Sequence, residues 1–74
     1  MRRQQVAISN RSKVKTSLVV EPWADEFALS PGGCIRIQFQ GVEGEMEIEL
    51  EDSRIVVYGW PGSTYEVVGK DATP

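Results

Sequence analysis

Histidine is absent from the 74 residues, and cysteine occurs once, as Cys34. The first absence removes imidazole acid–base catalysis, Ser-His-Asp triads and the commonest ligands of protein metal centres. The second forbids an internal disulfide and a cysteine-rich zinc site. Long apolar runs are missing too. Leu18–Val20 and Ile55–Tyr58 are the longest, far short of the ~20 residues of a membrane-spanning helix. No apolar stretch of ~7–15 residues follows Arg2 and Arg3, as a secretory signal would require. The expectation is a cytoplasmic protein that makes no membrane contact. Gly32-Gly33 is too little for a phosphate-cradling loop, which needs Gly-x-x-x-x-Gly-Lys-Ser/Thr. Asp25 and Glu26 are adjacent carboxylates, but sequence neighbours point apart and a glycosidase-type pair needs a cleft. With no nucleophile–base pair in view, neither an enzyme nor a bound cofactor or metal is expected.

What is present is the composition of a folded globule, 41% hydrophobic and 26% charged. The length suits one small domain. A chain this short buries only about 60% of its extended surface, and apolar burial then barely offsets ordering entropy. Small proteins add a disulfide, a metal or a second subunit. The first two are poorly provided for here, so a homo-oligomer is expected. Charge is unevenly spread. Arg2, Arg3, Arg11, Lys13 and Lys15 occupy residues 1–20 without an acid, while the rest of the chain carries all eleven acids, and the net charge is −3. A basic segment of this kind suits nucleic-acid contact or a solvated tail that lies against the acidic body. It lacks aromatics for base stacking, and the body would repel phosphate, so nucleic acid is the weaker alternative.

Along the chain, residues 1–13 read as a flexible basic arm, with a short extended piece at Val6–Ile8. Val14–Glu21 is rich in β-branched residues and predicts a strand that Pro22 ends. Pro22–Glu26 suits one helical turn, Phe27–Leu29 a short strand and Pro31-Gly32-Gly33 a turn. Ile35, Ile37 and Phe39 alternate with polar residues, as do Met46, Ile48 and Leu50. Period two predicts two half-buried strands. Joined through Gly41–Gly44 they form a hairpin that sets Phe39 by Met46, Ile37 by Ile48 and Ile35 by Leu50. On its other face Arg36 meets Glu49, and Cys34 lies near Glu51. A turn at Asp52-Ser53 then pairs Leu50 with Ile55 and Ile48 with Val57, so Ile55 and Val57 complete the expected core. Trp60-Pro61-Gly62-Ser63 fits a type II turn. A strict hairpin through it would bury Glu66, so the last strand crosses to another sheet or the Tyr58 face is itself covered. Residues 70–74 read as a tail, leaving 14–69 as the single β domain.

The most visible feature is the ladder Glu43, Glu45, Glu47, Glu49, Glu51. A linear ladder diverges and suits calcium poorly. It reads as a solvated strand face guarded against edge aggregation, or as a dock for a basic protein partner through Glu45, Glu47 and Glu49. Cys34 reads as a structural residue, because a nearby anion suppresses thiolate. The expected architecture is all-β, a small antiparallel sandwich or partly open barrel of five to six short strands. The expected role is a non-enzymatic module that self-associates or binds a protein partner through Val56, Tyr58, Trp60, Tyr65 and Val67. The alternatives are a sugar- or peptide-binding β-barrel using Trp23 and Trp60, and nucleic-acid contact through the arm.

Glu21-Pro22-Trp23, Leu29-Ser30-Pro31-Gly32 and Val57-Tyr58-Gly59-Trp60-Pro61-Gly62-Ser63 together resemble a group of short uncharacterised bacterial proteins. The resemblance spans roughly residues 19–68 and implies no function. The Leu-x-Pro-Gly turn is more loosely similar to those of cupin-type jelly rolls. Cupin metal centres rest largely on histidine, so this likeness implies strand layout alone.

Overall fold

The computed structural model describes residues 1–72, which form seven strands and, among the described residues, no helix. They are β1 (Arg2–Ser9), β2 (Thr16–Glu21), β3 (Asp25–Leu29), β4 (Gly33–Gly41), β5 (Glu47–Glu51), β6 (Arg54–Tyr58) and β7 (Thr64–Ala72). A three-stranded sheet in the order β1-β4-β7 faces a four-stranded sheet in the order β3-β2-β6-β5. All pairs are antiparallel except β2 with β6. The result is a small, unclosed β-sandwich. No helix of the described residues is long and apolar enough to cross a membrane.

The alternation of β4 governs the interior. Ile35, Ile37 and Phe39 are fully buried, while Cys34, Arg36, Gln38 and Gln40 between them face outward. Opposite them lie Leu18, Val20, Leu29 and Val57, with Ile8 and Trp60 closing the cluster. At ~25 cal/mol per Å² such side chains contribute ~1.5–3 kcal/mol each when removed from water.

The expected β4–β5 hairpin does not form. β4 pairs with β1 on one side and β7 on the other, while β5 pairs only with β6. Alternation dictates which face of a strand is buried and is silent about its neighbour. The connection is built to leave the sheet. Trp60 Nε1 donates to the carbonyl of Val42 at 2.6 Å. Gly44 lies against the same indole so closely that a Cβ there would come within 2.0 Å of the ring. Arg36 therefore does not face Glu49, and Cys34 pairs with Ser9 and Asp71, away from Glu51.

The second hairpin forms as the sequence predicts, with Glu51 opposite Arg54, Leu50 opposite Ile55 and Ile48 opposite Val57. The turn at Trp60–Ser63 also forms. Ser63 N–H donates to the Trp60 carbonyl at 2.9 Å, and Gly62 sits at φ +83°, as the third position of such a turn demands. β7 then crosses to the other sheet, one of the two outcomes anticipated.

Two segments are more ordered than their composition suggests, and a third differs in kind. The flexible arm expected over residues 1–13 contains β1, eight residues in continuous register with β4. Its polar alternation reflects an edge strand with one face in solvent. The tail expected from residue 70 is paired through Ala72 opposite Gly33; Thr73 and Pro74 lie outside the described residues. The helical turn expected at 22–26 is instead a tight link into β3, with Ala24 at φ 60°. The added β1 raises the strand count to seven.

Candidate functional site

The pairing registers define two faces of the four-stranded sheet. Its outward rows read Glu26, Val19, Val56, Glu49 and Ala28, Ser17, Arg54, Glu51, with Glu21, Tyr58 and Glu47 beyond. Five glutamates thus surround Val19 and Val56, which are buried at the centre of the face. Arg54 is the one cation in these rows and holds Glu51 at 2.8 Å, an exposed pair worth about 0–1 kcal/mol. Tyr58 donates to Glu49 Oε1 at 3.1 Å. That hydrogen bond, then burial and the surrounding carboxylates, holds the phenol above its ordinary pKa of 10.0.

The inward rows read Asp25, Val20, Val57, Ile48 and Phe27, Leu18, Ile55, Leu50. Their middle members are the core. Their last members are not. Ile48 is 46% and Leu50 78% exposed, although both point toward the interior side. Exposure rises along the strand because the three-stranded sheet is narrower and does not reach under β5. Ile48 and Leu50, expected in the core, are therefore an uncovered apolar strip on the edge strand β5. Met46, just before β5, is partly buried against the core, as is Ile55.

The residues expected to form one interface are dispersed. Val56 and Trp60 are buried, at 3% and 5% exposure. Tyr58 lies on the outward acidic face of β6, while Tyr65 and Val67 lie on the interior side of β7 in the other sheet. No single surface brings these five together. The physical reason is the crossing of β7, which carries Tyr65 away from Tyr58.

The aromatic pair expected to hold a ligand is likewise divided. Trp60 packs on Phe39 with centroids 6.1 Å apart, inside the core. Trp23 is 37% exposed and tilts against Tyr65, centroids 4.8 Å apart. Tyr65 Oη donates to Asp25. Burial, with the Asp25 hydrogen bond and charge, pushes this phenol up to about 12.

Two polar side chains are buried and fully engaged. Asn10 Nδ2 donates to the carbonyls of Val14 at 2.8 Å and Leu29 at 2.9 Å, and its Oδ1 accepts from the N–H and Oγ of Ser12. Ser63 Oγ accepts from Trp60 N–H at 3.0 Å and donates to the Trp60 carbonyl at 2.6 Å. Both are committed to closing turns. Cys34 is half-buried on the outward face of β4. Among the described residues no three acidic or sulfur ligands converge as a metal would need.

The uncovered strip is what reasoning from the sequence missed. A signal for it was present: carboxylates at every second position from Glu43 to Glu51 are the usual guard of an open sheet edge, and edges are where coverage fails. Comparison of the chain with protein-family models, curated proteins and solved structures returns no match.

Proposed function

We propose that the protein is a non-enzymatic interaction module that self-associates through the uncovered strip of β5. One observation carries this reading: Leu50 aligns with the buried Leu18 and the partly buried Ile55, yet is 78% exposed. Ile48 and Leu50 lie on the same face of the open edge, and adjoining exposed apolar side chains at such an edge favour cover by another chain. The size of the chain adds weight, since a domain this short gains little from its own core.

The test is solution mass by size-exclusion chromatography with light scattering, for the wild type and Leu50→Glu. The wild type is expected to exceed one chain and Leu50→Glu to run as a monomer of unchanged fold by circular dichroism. Equal masses for the two would refute the reading.

The Trp23–Tyr65 shelf favours a second reading, a shallow site for a sugar or peptide. Quenching or a shift of tryptophan emission across a ligand panel would support it, and a flat response would remove it.

A further inference from the structure

The sandwich has four open edges: β1 and β7 on one sheet, β3 and β5 on the other. We propose that the β5 edge is covered by the β1 edge of a second copy, reciprocally, so that two sandwiches share two continuous seven-stranded sheets. The inference rests on the self-association reading above and names the surface that answers β5.

Placement comes first. At the Trp60 end, Tyr65 of β7 is bonded to Asp25 of β3 and stacked on Trp23. At the opposite end, Leu29 of β3 is bonded to Asn10 just beyond β1. β3 therefore crosses the smaller sheet from β7 toward β1, and the other edge of its own sheet, β5, overhangs the β1 side. β1 and β5 thus edge the same side, with β5 projecting past β1. Met1, Arg2, Val42 and Glu43 line one surface depression at the end of the β1–β4 pair.

Edge quality comes second. β7 is broken by a bulge, since Arg36 faces Gly69 while Ile37 faces Val67, and bulges blunt an edge. β3 has five residues, and its first is already bonded to Tyr65. β1 offers eight residues in unbroken register without proline.

Charge decides between the pairings that remain. β1 carries Arg2 and Arg3 and no acid, and Arg11, Lys13 and Lys15 follow it. β5 and its approach carry Glu43, Glu45, Glu47, Glu49 and Glu51. β5 against β5, or β1 against β1, sets like charges side by side, which destabilises a strand pair. Only the crossed pairing joins opposite signs.

Direction permits it to close. β4 runs toward Gly41 beside Trp60, and β1 is antiparallel to it. β6 runs toward Trp60, and β5 is antiparallel to it. Both edges thus run away from the Trp60 end. A two-fold axis parallel to the strands sets each β1 alongside the other copy's β5 in parallel, and the contact is the same twice. Arg2 and Arg3 then fall at the end where Glu45 and Glu47 stand. Val6 and Ile8, on the interior face of β1, continue into Ile48 and Leu50.

The experiment uses two full-length variants, Arg2→Glu with Arg3→Glu, and Glu45→Lys with Glu47→Lys. All four positions are exposed, and circular dichroism checks each fold. Solution mass is expected to fall from two chains to one for each variant alone and to return to two when they are mixed, because the mixture restores both crossed contacts. The wild-type dimer is expected to weaken as salt rises. If the wild type dimerises but the variants remain dimers, or their mixture remains monomeric, the β1–β5 pairing is overturned while self-association stands. If the wild type is a monomer at every concentration, both are overturned, and the β5 edge is left to a basic strand of another protein.

Discussion

Asn10 shows how much one side chain decides in a sandwich of this size. It is 5% exposed and donates one hydrogen bond to Leu29 at the end of β3 and one to Val14 in the β1–β2 connection. Asn10→Ala removes the buried donor to the Leu29 carbonyl, whereas the exposed Val14 carbonyl keeps Ser12 Oγ, and an orphaned buried acceptor costs ~1–3 kcal/mol. A loss of about 1–3 kcal/mol in urea unfolding is expected, and Asn10→Asp, which sets a buried carboxylate oxygen against the same carbonyl, is expected to lose at least as much. Tyr65 supplies a pH signature. Its folded pKa of about 12 stands above the ordinary 10.0, so the folded state holds the proton more tightly than the unfolded one. The associated stability is full below pH 10 and is lost as pH rises toward 12. Thermal melts from pH 9 to 12 are expected to fall more steeply for the wild type than for Tyr65→Phe. Parallel curves would show that the phenol is not held as described.

At the scale of elements, β1 is a structural strand with a basic sequence. It covers one edge of β4 along its length and places Ile8 in the core. Removing residues 1–9 therefore differs from trimming a tail: Ile35 and Ile37 lose their neighbour, and the central strand of the smaller sheet becomes an edge. Cooperative thermal unfolding is expected to be lost in that truncation. A transition unchanged from the wild type would mean that β1 contributes nothing to the fold. β5 behaves oppositely. It reaches the sheet through β6 alone and leaves its apolar positions uncovered. Glu49 and Glu51 tie it to Tyr58 and Arg54 of β6, and the row of like charge discourages the pairing of β5 with itself.

At the scale of the whole molecule, a four-stranded sheet over a three-stranded one cannot be covered everywhere. Sheet twist places the surplus at corners: Ile48 and Leu50 at the β5 edge, and Val67 and Val68 on β7. The β7 corner is broken by its bulge, whereas the β5 corner is regular and carries charge of one sign. Surplus strand, open edge and complementary basic edge lie on one side of the molecule, so a two-fold pairing satisfies all three together.

The all-β class, the buried faces of β4 and β6, the β5–β6 hairpin and the turn at Trp60–Ser63 were legible in the sequence, because alternation and turn chemistry act over a few residues. So was the unevenness of charge. Which strands meet was not. β4 and β5 carry matching alternation and complementary charges, and nothing within either distinguishes a neighbour in the same sheet from a strand in the facing one. That choice belonged to residues distant in sequence: Trp60 fastening Val42 and Gly44, and β1 and β7 already occupying both sides of β4. Leu50 illustrates the consequence. Its alternation determined the side it points to, and only the width of the opposite sheet decided that nothing would cover it there.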